Sequence, residues 1–122
     1  MKNLSNVPVF LLAIVYLVFG ANFFLHFIPM PPATGDAATF FGVIYSTGFL
    51  TFVKVLEIIL GAMLLVKATR PLALLLIAPI SVNILLFEVF IAHQPGIGVL
   101  LVILNALAIY HLKNRYMGIV KE

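Results

Sequence analysis

Residues 7–28 read VPVFLLAIVYLVFGANFFLHFI, an apolar run without one Asp, Glu, Lys or Arg. A helix needs about 20 predominantly apolar residues to cross a hydrocarbon core of about 30 Å, and this run supplies them. It is too long for the apolar part of a secretory signal, and no small-residue cleavage site follows it. It therefore reads as a retained membrane span, closed by Pro29-Met30-Pro31-Pro32.

Three further segments follow the same logic: Phe49 to Val66, Pro71 to Ala92, and Ile97 to Leu112 beyond Pro95-Gly96. Pro71 suits the first turn of the third, where its missing N–H costs nothing. The fourth is short, so Lys113, Arg115 and Tyr116 are expected at the headgroups. The expected fold is an all-α polytopic membrane protein, one domain over residues 1–122 built as a four-transmembrane-helix bundle.

Composition points the same way. The 122 residues are 64% apolar and 9% charged, with a mean hydropathy of +1.24. Soluble domains carry about 25% charged residues, and a short soluble chain leaves too much surface wet to hide so much apolar area. With no cysteine, disulfides, thiol redox motifs, iron–sulfur clusters and thiolate zinc sites are excluded. A net charge of +3 is too small for a nucleic-acid groove.

Where the charges sit sets an expected orientation. Lys2, Lys67, Arg70, Lys113, Arg115 and Lys121 fall at the N-terminus, the second connection and the C-terminus. The first and third connections hold no Lys or Arg. The positive-inside rule then puts both termini in the cytoplasm, with the chain integral to the cell membrane. Only Lys54 falls inside a span.

The first connection, Pro29 to Gly48, is long enough for structure of its own. Asp36 is suited to cap a short helix from Ala37 to Ser46. Phe40, Phe41, Ile44 and Tyr45 would share one face of it. Such a helix would lie in the outer interface or fold back over the bundle.

Lipid offers polar side chains no partner, so each needs one inside the bundle. Asn22 and His26 are four apart in the first span. Lys54 and Glu57 are three apart in the second, with Gly61 one turn further along the same face. Asn83 follows Pro79 by one turn in the third, Glu88 lies near its outer end, and Asn105 is central in the fourth. A Lys or Asp at mid-membrane costs about 2.5–3.5 kcal/mol to insert, and such residues mark functional sites by default. Asn22, His26, Lys54, Glu57, Asn83 and Glu88 are thus the candidates for ligand binding or proton relay, with Asn105 as interhelical glue. His26 and His93 make a poor haem pair, because axial histidines project from facing helices and His93 lies in a loop. No metal site is assigned. The asparagines at 22 and 83, each in an apolar setting on spans of like direction, also suggest a two-plus-two duplication.

The segment Gly20-Ala21-Asn22-Phe23-Phe24-Leu25-His26-Phe27-Ile28-Pro29-Met30-Pro31 resembles the first-helix signature of the DoxX-like membrane proteins. Lys54-Val55-Leu56-Glu57 with Gly61 is similar to their second helix, and Ala78-Pro79-Ile80-Ser81-Val82-Asn83-Ile84-Leu85-Leu86-Phe87 to their third. Glu88 departs from the pattern, which has a histidine or an apolar residue there. The resemblance implies a four-helix integral membrane protein. It also implies an association with quinone-linked sulfur oxidation or membrane oxidoreductase assemblies.

Three functions fit these residues. An accessory or quinone-linked redox subunit would use His26, Lys54 and Asn22 as donors to a quinone and Glu57 as a proton relay. A small transporter or a lipid- or small-molecule-binding bundle would use the same cluster and need a homo-oligomer. A non-catalytic assembly protein would use it only to fix helix packing.

Overall fold

Segments apolar on all sides fold as helices in which each backbone polar group is bonded internally. The computed structural model describes residues 6–28, 33–94 and 96–120, and these are helical with no strand among them. In chain order they form α1 (Val7–Leu25), α2 (Gly35–Ser46), α3 (Phe49–Leu65) and α4 (Arg70–Leu86). A π-helical turn (Phe87–Ile91) extends α4, and α5 (Ile97–His111), a 3₁₀ turn (Lys113–Tyr116) and α6 (Met117–Val120) complete the chain.

Val7–Leu25 and Arg70–Ile91 are each long and apolar enough to cross a membrane. α3 reaches that length only when counted with α2, from which it bends by 81°, and α5 is apolar but has 15 residues. At 1.5 Å per residue α5 is roughly 22 Å long, short of a 30 Å core.

α1 packs against α3 and α5, and α4 against the same two, so the four helices close a ring. Their buried residues recur at helical spacing: 9, 12, 13 and 16 on α1; 57, 60, 61 and 64 on α3; 70, 73, 74, 77 and 81 on α4; 101, 104, 105 and 108 on α5. Yet the outer faces are apolar too, with Ile14, Leu72 and Ile103 more than half exposed. Helices apolar all round suit a lipid setting. α1 and α3 approach most closely at glycines. A Cβ at Gly20 would stand 2.8 Å from Ile58 Cγ1, and one at Gly61 would stand 3.0 Å from Leu17 Cγ.

Several element ends differ from the sequence expectation. α1 stops at Leu25 rather than Ile28 because His26 turns left-handed, with φ 54°, and its N–H donates to Asn22 O at 2.8 Å. The third segment begins at Arg70, and its regular helix gives way to the π-helical turn before Ala92. α2 starts at Gly35 with Thr34 at its cap, so Asp36 sits in the first turn instead of capping it. A carboxylate there still favours the helix dipole. α2 buries only Ala37, and its Phe40 and Phe41 rings rest 5.3 and 4.9 Å from Phe87.

The two ends of the ring differ in composition. Arg70 stacks 5.2 Å over Phe10, Arg115 Nη1 donates to Lys67 O at 2.8 Å, and the Tyr116 hydroxyl donates to Pro71 O at 2.8 Å. These contacts gather the start of α1, the 66–69 connection and the C-terminal tail at one basic end. α2 and the π-helical turn lie at the other.

Candidate functional site

On α3, Lys54 Nζ lies 3.3 Å from Glu57 Oε1 across one helical turn. The Glu57 side chain is 4% exposed and that of Lys54 21% exposed. The asymmetry follows from the helix face. Glu57 belongs to the buried stripe that continues through Leu60, Gly61 and Leu64, whereas Lys54 stands at its margin. The lysine stem covers apolar surface while the ammonium reaches outward. An ammonium carries three N–H donors, so Lys54 keeps capacity beyond its bond to Glu57.

A second polar group runs through the ring's centre, and neither Tyr16 nor Ser81 stood among the sequence candidates. The Tyr16 hydroxyl and Ser81 Oγ are 2.7 Å apart, Ser81 Oγ donates to Asn105 Oδ1 at 3.0 Å, and Asn105 Nδ2 donates to Leu74 O at 3.3 Å. A serine hydroxyl has one hydrogen. Since Ser81 gives it to Asn105, Tyr16 must donate to Ser81. This directed chain ties α1, α4 and α5 together. The signal was present in the sequence: Tyr16 and Ser81 fall on the same i, i+3, i+4, i+7 stripes as the buried apolar residues. Beside Ser81 and Asn105, α4 and α5 part into a shallow cleft of about 170 Å³, otherwise lined by Ala78, Val82, Val102, Ala106 and Ile109.

Of the remaining candidates, Asn22, Asn83 and Glu88 are engaged with backbone groups near them in sequence. Asn22 is buried, and its amide closes the end of α1: Oδ1 accepts from Ile28 N at 2.7 Å and Nδ2 donates to Ile28 O at 3.1 Å. His26 leaves the helix and is exposed, so the four-residue spacing does not put it on the face of Asn22. Asn83 was expected to be buried among helices, but it is exposed and donates Nδ2 to Pro79 O at 2.9 Å. The reason is angular: Asn83 lies two residues, about 200°, past Ser81 on a helix whose buried stripe includes Ser81. The two asparagines behind the suggested duplication therefore have unlike roles.

Glu88 serves a neighbouring helix. Its carboxylate accepts from Gly96 N at 2.8 Å and from Gly98 N at 3.0 and 3.1 Å, so it satisfies N–H groups that the start of α5 leaves open. The π-helical turn carries Glu88 towards α5, and Gly98 makes the approach possible. A Cβ at Gly98 would stand 2.7 Å from Glu88 Oε1 and 2.8 Å from Leu85 Cα.

At the basic end, Arg70 is buried and donates Nε to Leu64 O at 2.8 Å, closing the C-terminus of α3. Burial raises the Tyr116 phenol above its ordinary value, against a smaller lowering by the Arg115 cation.

Taken together, the polar groups mostly bind one another or the backbone. The three donors expected for a quinone share no hydrogen bond with one another. Asn22 is engaged with Ile28, His26 lies beyond the end of α1, and Lys54 pairs with Glu57, its backbone meeting α1 at Gly20. Among the described residues no three His, Asp or Glu side chains converge as a metal-binding group. No protein-family model, curated protein or solved structure matches the chain.

Proposed function

We propose that the chain is a four-span integral membrane protein of the DoxX-like kind, with both termini cytoplasmic, acting as a non-catalytic accessory subunit of a membrane redox assembly. One observation carries the non-catalytic part. Asn22, Arg70, Ser81, Glu88 and Asn105 each hold a helix end or a helix contact by hydrogen bonds within the chain. Groups engaged in this way stabilise a scaffold and are poorly placed to react. The redox association rests on the DoxX-like sequence signatures.

Four spans are supported by the ring of α1, α3, α4 and α5. Helices of 17 and 15 residues can cross where flanking residues snorkel or the bilayer thins. Lys113 and Arg115 follow α5 directly and serve that purpose. α2, crosswise to α3 and mostly exposed, then lies in the outer interface.

The natural absence of cysteine makes the topology easy to test. A cysteine at Asp36 should label with an impermeant reagent from outside intact cells, and one at Thr69 should label only after lysis. The accessory role is tested by purifying the protein from native membranes into nanodiscs. A stoichiometric oxidoreductase partner supports it, and a homogeneous protein without one argues against it.

A second reading is a small-molecule-binding bundle, favoured by the partial exposure of Lys54 beside a buried Glu57. In that reading an anionic or carbonyl group meets the ammonium from lipid or from a second copy. The double variant Lys54→Met with Glu57→Gln, which leaves no stranded charge, would then lose a bound small molecule while the fold persists.

A further inference from the structure

Among the described residues, the basic end holds more positive charge than carboxylates neutralise. The Tyr116 hydroxyl donates to Pro71 O at 2.8 Å, which brings the neighbouring Arg115 and Arg70 together with like charges opposed. Exposed Lys67 and Lys113 flank them. The described carboxylates are Asp36, Glu57 and Glu88, and none belongs to the 66–69 connection, the first turns of α1 or the 113–120 tail. Like charges held together without a carboxylate cost energy unless an outside anion joins them.

Two of the exposed cations are also held in place. Arg115 is fixed by its bond to Lys67 O, and the tail behind it by Tyr116 on Pro71 O. Lys113 Nζ rests 4.4 Å over the Tyr110 ring. Arg115 spends Nη1 on the backbone, so its other N–H groups remain to pair with oxygens.

The surroundings specify the anion further. Leu65, Val66 and Leu72 lie beside these cations in the chain, and each is about half exposed. Fixed cations next to exposed aliphatic surface match an anionic phosphate that carries hydrocarbon. We propose that the basic end binds the headgroup phosphate of an anionic phospholipid through Lys67, Lys113 and Arg115, with acyl chains against the apolar residues beside them. Basic pockets between membrane helices on the cytoplasmic side recognise such headgroups. The inference rests on the membrane-spanning reading above, and its test separates the two.

The protein is reconstituted into vesicles of phosphatidylcholine alone or of phosphatidylcholine with an equal amount of phosphatidylglycerol. Thermal stability and the lipid retained in native mass spectra are then measured. Phosphatidylglycerol should be retained preferentially and raise the melting temperature, with the preference falling as salt rises. Lys67→Gln with Arg115→Gln should weaken retention roughly 30-fold, from two lost cation contacts. Lys67→Arg with Arg115→Lys should preserve it. In phosphatidylcholine vesicles the Gln pair should melt within a few degrees of the parent, the shift expected for one exposed bond to Lys67 O, which separates lost binding from lost folding. Equal retention of both lipids overturns the proposal, as does undiminished preference in the Gln pair. Inorganic phosphate reproducing the whole thermal shift overturns the lipid assignment. Failure to insert into either vesicle overturns the membrane reading and this inference with it.

Discussion

At the basic end of the ring, Arg70 donates to Leu64 O at the C-terminus of α3; at the opposite end, Glu88 accepts from Gly96 and Gly98 at the N-terminus of α5. Each charge matches the helix dipole it meets, a cation at the carbonyl end and a carboxylate at the amide end. The difference lies in what remains. Glu88 spends its carboxylate on backbone N–H groups of a neighbouring helix. Arg70, Arg115, Lys67 and Lys113 spend only part of their donor capacity, and among the described residues their end keeps a positive surplus. Helix ends in an apolar medium must be closed by something, and an end closed with surplus charge is also the one able to meet an external partner.

The contrast can be broken most sharply at Gly98. Gly98→Ala puts a methyl against Leu85 backbone and should cost about 3 kcal/mol by overpacking; unchanged thermal unfolding would show that α4 and α5 need not approach so closely. Glu88→Ala leaves the α5 amides without their acceptor and should cost about 2–3 kcal/mol, with Glu88→Gln milder because its amide oxygen still accepts. Arg70→Met should cost about 2 kcal/mol through the freed α3 carbonyl. If the arginine change proves costlier than the glutamate change, the closures rank in the reverse order. Tyr116→Phe removes the bond to Pro71 and should cost about 1 kcal/mol.

That phenol also gives the basic end a pH dependence. Its folded pKa is raised, so the folded state keeps a proton that the unfolded chain loses near its ordinary value of 10.0. Stability contributed by Tyr116 should therefore decline as pH climbs above 10, less so in Tyr116→Phe. The smallest effect is expected at His26. Glycine accepts the left-handed turn without strain, so His26→Gly should stabilise by up to about 1 kcal/mol.

Helical segments were legible because an apolar run with Pro and Gly at its borders allows little else, and the span long enough at Val7–Leu25 was plain from composition alone. Helix ends were less so. The halt after Leu25 depends on the Asn22 amide folding forward onto Ile28, a tertiary choice no periodicity announces. The candidate site was legible only in part. Lys54 and Glu57 pair within one turn, so local spacing predicts them. Glu88 instead meets residues eight and ten positions on, across a turn that the π-helical geometry redirects. Tyr16 and Ser81 could have been found by asking which polar residues fall on each helix's buried stripe, the same question that excludes Asn83 from it.

The central claim is that the charged and polar side chains buried within the ring are closed on partners inside it. The Lys54–Glu57 pair tests it most directly, through a double-mutant cycle of Lys54→Met and Glu57→Gln read as unfolding free energy in a fixed lipid. Breaking one side of a buried pair strands the other, typically at about 3–5 kcal/mol, whereas removing both relieves that penalty. The account predicts that Lys54→Met alone, which strands the buried carboxylate, is the more damaging single change. It also predicts that the double variant is more stable than Lys54→Met. Costs that simply add, leaving the double variant least stable of all, would contradict it.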